Sequence, residues 1–276
     1  MKAIKYTGAL IAAALLSARL MAQQPDQLVV PLSDPGKPYK LSVDLVFGSI
    51  KVSTYEGKDV VIEVINESKK RDDDDDHDHE RKGGMKRIAG GGGLDITAKE
   101  RNNVVTINTD MPMKNINLNI KIPRGVSNLK LSTVNGRGIW VSNVSGDLEI
   151  SNTNGSITLT DISGSVVANT VNGSIKVNFK AVDNKAPMAF STLNGSVDVV
   201  FPANLKANVK LKSDQGNVYS DFDIAADRQI PKVSKSNSQG MYRLSVDETV
   251  YGKINGGGPE MLMKTMNGNI YLRKAK

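Results

Sequence analysis

Between Val144 and Val177 the chain repeats a nine-residue beat of apolar and polar positions. The expected inward positions are Val144, Leu148, Ile150, Thr153, Ile157, Leu159, Ile162, Val166, Ala168, Val171, Ile175 and Val177, in steps of four, two and three. A step of two puts both side chains on one face of a pleated strand. The remaining steps of three and four hold a glycine in every copy (Gly146, Gly155, Gly164, Gly173), which places a corner there. Stacked copies of such a unit bury one another's apolar faces. The pattern predicts an all-β, single-chain parallel β-helix or β-solenoid-like stack of short strands with Asn-Gly and Ser-Gly corners. The alternative is an antiparallel β-sandwich or meander with Asn-Gly hairpins. A two-residue hairpin keeps strict alternation on both sides of its turn. Here the phase slips by one between Leu159 and Ile162, and again between Ala168 and Val171, which favours the stack.

The longer form of the repeat is Thr-x-Asn-Gly followed by alternating polar and apolar residues. It occurs at Thr170–Val177, Thr192–Val199 and Thr265–Leu272. The corner residues are Asn135, Gly136, Asn154, Gly155, Asn172, Gly173, Asn194, Gly195, Asn267 and Gly268, and Gly and Asn both suit a tight corner. Stacked asparagines at these positions can hydrogen-bond along the coil axis as a ladder. Shorter copies at Val144–Gly146 and Ile162–Gly164 alternate with the long ones, so one coil takes about 18 or 19 residues, later ones around 21. Residues 217–264 read as a large excursion. Upstream, residues 39–65 read as two or three strands, and Gly48-Ser49-Ile50-Lys51 resembles the later repeats. The alternating run Ile116, Leu118, Ile120, Ile122 should end at Pro123, which has no amide to donate.

Two segments break the pattern. Residues 1–22 read as an export signal: Lys2 and Lys5 open a basic start, Leu10–Leu16 is an apolar run, and Ala22 offers a small residue for cleavage. That run is short of the roughly 20 residues a spanning helix needs, and no later stretch approaches it, so no membrane span is expected after signal removal. Residues 23–276 then form a single β-repeat domain. Residues 66–93 are a charged, Gly-rich insertion with almost no apolar side chains, expected to be a mobile loop.

The chain has no cysteine, which removes disulfides and thiol chemistry and fits a bacterial periplasmic, outer-surface or secreted protein. The formal charge is +7, and losing Lys2, Lys5 and Arg19 takes three of those charges and leaves +4. The other cations are scattered rather than gathered in a stripe, which argues against nucleic acid. The only histidines are His77 and His79, so a serine-type triad has almost nothing to build on. The outward positions after the corners, Thr158, Lys176 and Asp198, offer one acid in three, a weak basis for glycoside cleavage. No catalytic residue and no cofactor is expected.

Asp74, Asp76, His77, Asp78 and His79 are the residues that would ligate Ca²⁺ or another divalent ion. Against that, seven acids between Asp72 and Glu80 face Lys69, Lys70, Arg71, Arg81, Lys82, Lys86 and Arg87, which makes the loop self-screened. Trp140, Tyr219 and Tyr271 fall on outward positions, Trp140 only if Gly138 makes a one-residue bulge. Outward aromatics stack on sugar rings or anchor a protein partner; the alternative is that they pack beneath residues 217–264.

The Thr-x-Asn-Gly-Ser-Ile repeats resemble an exported bacterial family labelled as candidate adhesins, a domain of unknown function. So do the ending Gly252-Lys253-Ile254-Asn255-Gly256-Gly257-Gly258-Pro259, the Pro-Arg-Gly step at Ile122–Gly125 and the Phe201-Pro202 step. The resemblance covers nearly the whole mature chain and implies a β-repeat fold and export; the loop at 66–93 departs from it. Members of such families often sit among envelope-stress and anti-sigma components. The expectation is a non-enzymatic, adhesin-like cell-envelope or secreted protein whose β surface binds a glycan or an envelope protein partner. The runner-up is a periplasmic scaffold or sensor domain of an envelope-stress system; the third reading is a polysaccharide-cleaving β-helix enzyme. An uncapped coil end leaves self-association by edge pairing open.

Overall fold

The computed structural model describes residues 27–65, 96–109, 113–226, 232–238, 241–247 and 249–276. Every regular element among them is a strand. The first four are β1 (Gln27–Pro31), β2 (Tyr39–Phe47), β3 (Ile50–Tyr55) and β4 (Asp59–Ile65). Then come β5 (Thr97–Arg101), β6 (Val104–Asn108), β7 (Asn117–Pro123), β8 (Val126–Ser142) and β9 (Ser145–Asn172). The next group is β10 (Ile175–Val182), β11 (Met188–Asn194), β12 (Val197–Phe201), β13 (Ala207–Gln215) and β14 (Val218–Ser220). The last are β15 (Ala225–Ala226), β16 (Lys232–Ser238), β17 (Met241–Asp247), β18 (Val250–Ile254), β19 (Glu260–Asn267) and β20 (Ile270–Lys274).

The coils pair in parallel, as a solenoid requires and a meander forbids. On the first face Leu41 aligns with Leu129, Leu129 with Leu148, Ala168 with Phe190, and Phe190 with Met263. On the second face Ile50 aligns with Ile139, Ile139 with Ile157, Ile157 with Ile175, Ile175 with Val197, and Val197 with Ile270. Between the faces lies the core, made of the apolar side chains these rows turn inward. Phe179, Phe190 and Phe201 fill one side of it, with Phe179 and Phe201 stacked at 4.8 Å and Phe190 edge-on to both at 6.3 Å.

The first corner owes its glycines to close approach between coils. A Cβ on Gly155, Gly173, Gly195 or Gly268 would sit 2.1–2.3 Å from the carbonyl oxygen of the glycine one coil away. At the second corner a Cβ on Gly164 would likewise sit 2.3 Å from the Gly146 carbonyl oxygen, and Asn143 or Asp161 adds a left-handed non-glycine residue, each with φ of 56°. A short polar side chain tolerates that conformation.

One expected feature of the core is corrected. Thr153 and Val171 do not point inward; Asn152 and Thr170 do, at 2 % and 7 % exposure, while Val171 is 39 % exposed. Alternation runs without a break up to the residue two before the corner asparagine, and the corner itself absorbs the phase slip. The reason is backbone accounting, because a corner glycine's carbonyl needs a donor. Thr170, Thr192 and Thr265 supply it, donating through Oγ1 to the carbonyls of Gly155, Gly173 and Gly195 at 2.8–2.9 Å.

The order of coils in space differs from their order in the chain. β13 and β14 form a coil, so the excursion is shorter than residues 217–264. The coil of β19 and β20 then inserts between β11/β12 on one side and β13/β14 on the other. The other end mirrors this: β2 and β3 lie between β6/β7 and β8. Both chain-terminal coils are therefore internal to the stack. Antiparallel strands flank its ends, β4 with β1 and β5 on one side, β18 with β15 on the other.

Candidate binding surface

The pleat turns one residue per strand outward at each level of the second face, and parallel pairing lines these residues up along the stack. One such row reads Lys51, Trp140, Thr158, Lys176, Asp198, Tyr271 and Tyr219, each in register with the next. Beside it runs a second row with Ser53, Ser142 and Thr160, in register in the same way. All three aromatic residues expected to face outward thus share a single row.

Trp140 reaches that row through a register shift. From Asn135 to Gly138, β8 carries one residue more than the facing Asn154–Ser156 of β9. The extra residue restores the pleat, so that Ile139 and Val141 are buried and Trp140 is 39 % exposed. An open groove of about 290 Å³ runs beside it, lined by Lys51, Trp140, Val141, Ser142, Thr158 and Thr160.

At the other end of the row Tyr219 and Tyr271 stack face to face, centroids 5.2 Å apart and planes 9° apart. Tyr219 is 50 % exposed. The Asn269 amide donates to the Tyr271 hydroxyl at 3.0 Å, and the Arg273 guanidinium lies 4.9 Å from its ring centre. Arg273 also donates twice to Asp198, at 2.7 and 3.2 Å, and that hydrogen bond raises the guanidinium's pKa further. Trp140 and Tyr271 are four strand steps apart, roughly 19 Å at the usual strand spacing.

The corner asparagines form a ladder. Each side-chain amide donates to the oxygen of the next: Asn154 to Asn135 at 2.7 Å, Asn172 to Asn154 and Asn194 to Asn172 at 2.8 Å, and Asn267 to Asn194 at 2.6 Å. Next to it lies a feature not anticipated from the sequence: Val134, Val171, Leu193 and Met266 are 39–42 % exposed and line up on the first face. Its signal was present, because the x of Thr-x-Asn-Gly is apolar in these four copies. Asp74, Asp76, His77, Asp78 and His79 lie outside the described residues, as do residues 1–22 and 66–93. Among the described residues no group of three acids or histidines is placed to hold a metal ion, and no helix is long and apolar enough to cross a membrane.

Residues 141–273 match the model of the Toastrack DUF4097 family. That match covers slightly less than half of the chain. The Toastrack segment spans the coils from the end of β8 to β20, and so holds Thr158, Lys176, Asp198, Tyr219 and Tyr271; Lys51 and Trp140 precede it. No curated protein matches the chain. Two solved structures are similar to it. One is a candidate cell adhesion protein from Clostridium sporogenes, with TM-score 0.42 and 12% identity, covering 91% of this chain and 100% of that one. The other is a candidate adhesin from Bacteroides fragilis, with TM-score 0.27 and 9% identity, covering 90% of this chain and 96% of that one.

Proposed function

We propose that the chain is a non-enzymatic, adhesin-like protein of the cell envelope or exterior, and that the second face of its Toastrack stack binds a glycan. The observation that carries this reading is the row from Trp140 to Tyr219. It sets flat aromatic surfaces at both ends of a strip of hydroxyl and charged side chains, on strands held at fixed spacing. Aromatic faces meet the apolar faces of sugar rings, and the polar side chains between them meet hydroxyls. Cleavage of the glycan is set aside because Asp198, the acid of the row, is held by two hydrogen bonds from Arg273.

A second reading, a periplasmic scaffold or sensor that binds its own partner protein, is favoured by the apolar line of Val134, Val171, Leu193 and Met266 on the opposite face. The test is a screen of the purified protein against envelope polysaccharides, beside a Trp140→Ala/Tyr219→Ala/Tyr271→Ala variant. Binding that disappears in the variant supports the glycan reading. Absence of binding by both proteins moves the function to the first face and a protein partner.

A further inference from the structure

We propose that the groove at Trp140 takes an acidic, linear polysaccharide, lying along the stack axis with its carboxylates or sulfates against Lys51 and Lys176. The inference rests on the glycan reading above and names the class of glycan.

Direction comes from the register. Outward side chains useful to a ligand repeat from strand to strand along the stack, whereas the second face offers only short strands such as β12 and β20 in the perpendicular sense. Successive strands are about 4.8 Å apart. An extended polysaccharide advances by nearly that distance per hexose, so sugars and strands stay in step over the three steps from Lys51 to Lys176. Trp140 and Thr158 lie between those two lysines in the same row.

Charge selects the ligand. Lys51 and Lys176 are both exposed, and neither has an ion-pair partner among the described residues. The two acids that flank the lysines along the second face, Glu63 and Asp198, are already matched. Beyond Lys51, Glu63 accepts from Lys121 at 2.7 Å, a bond that holds its carboxyl below the usual range. Beyond Lys176, Asp198 is taken by Arg273. The other groove residues, Ser142, Thr158 and Thr160, are neutral hydroxyls, and Ser53 of the same second row is too. The groove's lining therefore carries one cation, Lys51, and no acid, with Lys176 two strand steps from Trp140 in the same row, beside an aromatic platform that a polyanion without sugar rings or bases does not need.

The test uses polygalacturonate as the probe, with its fully methyl-esterified form and neutral dextran as controls. The protein is expected to bind polygalacturonate and to lose it on esterification. Lys51→Gln/Lys176→Gln should weaken binding roughly tenfold, as two exposed charge contacts would, and Lys51→Arg/Lys176→Arg should retain it. Lys99→Gln/Lys264→Gln, which removes two cations elsewhere, should leave it unchanged, and Trp140→Ala should abolish it. Equal, Trp140-dependent binding of the ester or of dextran overturns the acidic class while the glycan reading stands. Binding that ignores Trp140, falls equally in the Lys99/Lys264 pair or is matched by duplex DNA overturns the proposal as general polyanion attraction. Failure to bind any of the three polysaccharides overturns it together with the glycan reading.

Discussion

Replacing Asn152 by threonine is expected to stabilise the protein, and the structure sets the size of the effect. Asn152 is 2 % exposed, and neither its amide nitrogen nor its oxygen has a hydrogen-bond partner among the described residues. The same inward position holds Thr133, Thr170, Thr192, Thr265 and Ser213 in other coils. Each of them donates to the carbonyl of a corner glycine, at 3.2, 2.9, 2.8, 2.8 and 2.8 Å. By the same stacking step a hydroxyl at 152 would meet the carbonyl of Gly136. A buried group left unpaired costs about 1–3 kcal/mol, and a hydrogen bond gained contributes about 1 kcal/mol net. Threonine and asparagine are close in volume, so no cavity opens, and threonine is the better strand residue. A net gain of about 2 kcal/mol should raise Tm by roughly 4–8 °C in a domain of this size, and shift the urea midpoint upward with an unchanged slope. Asn152→Val is the control: it removes the unpaired amide without supplying a donor, and should fall between the wild type and the threonine variant. A threonine variant no more stable than the wild type, or less stable than the valine variant, would refute the ladder argument.

Other outcomes follow from the same geometry. Gly173→Ala puts a Cβ 2.2 Å from the Gly155 carbonyl oxygen, so it should cost about 3 kcal/mol by overpacking, read as a lower urea midpoint. Burial holds the Tyr39 phenol well above its ordinary range while its hydroxyl donates to the Pro123 carbonyl at 2.6 Å. Its contribution to stability is thus complete below the unfolded pKa of about 10 and is lost as pH rises toward the folded value. Tyr39→Phe should flatten the alkaline limb of a stability–pH curve and leave its neutral-to-acid shape unaltered. Native-state hydrogen exchange should give the amides of Met263, Ile270 and Leu272 the protection of the middle of the stack despite their place near the chain's end, because β19 and β20 pair on both sides. Rapid exchange there, as in a fraying terminus, would contradict the inserted coil.

Much of the fold was legible because it is written locally. The step of two, the corner glycines and the phase slip are properties of adjacent residues, and together they separate a stack from a meander. Trp140 was legible for the same reason, since an extra residue between Asn135 and Gly138 must turn the pleat. At the corners apolarity points to the wrong inward residue, the one just before the asparagine rather than the one two before it. Val171 looks like core and Thr170 does not, yet the corner carbonyl needs a hydroxyl, and the apolar x residues are left outside. The insertion of the final coil had no local signature at all. β13/β14 and β19/β20 carry the same kind of strand pattern, and nothing within either coil says which lies against β11 and β12.

That insertion matters for the surface as much as for stability. In a linear repeat the terminal coils open most easily, because each has one neighbour. Here the first and last coils of the chain each have two, so the rows they carry are held from both sides. Lys51 comes from the first coil and Tyr271 from the last. Without the interleaving, Lys51 and Tyr271 would lie on the parts of the stack most prone to fray. With it, Lys51 is clamped between β7 and β8, and Tyr271 between β12 and β14. A repeating ligand needs recognition elements whose spacing does not drift over several strands. The buried threonine-to-glycine bonds and the asparagine ladder fix that spacing coil by coil, and the inserted termini carry it to Lys51 and to Tyr271, on which Tyr219 stacks.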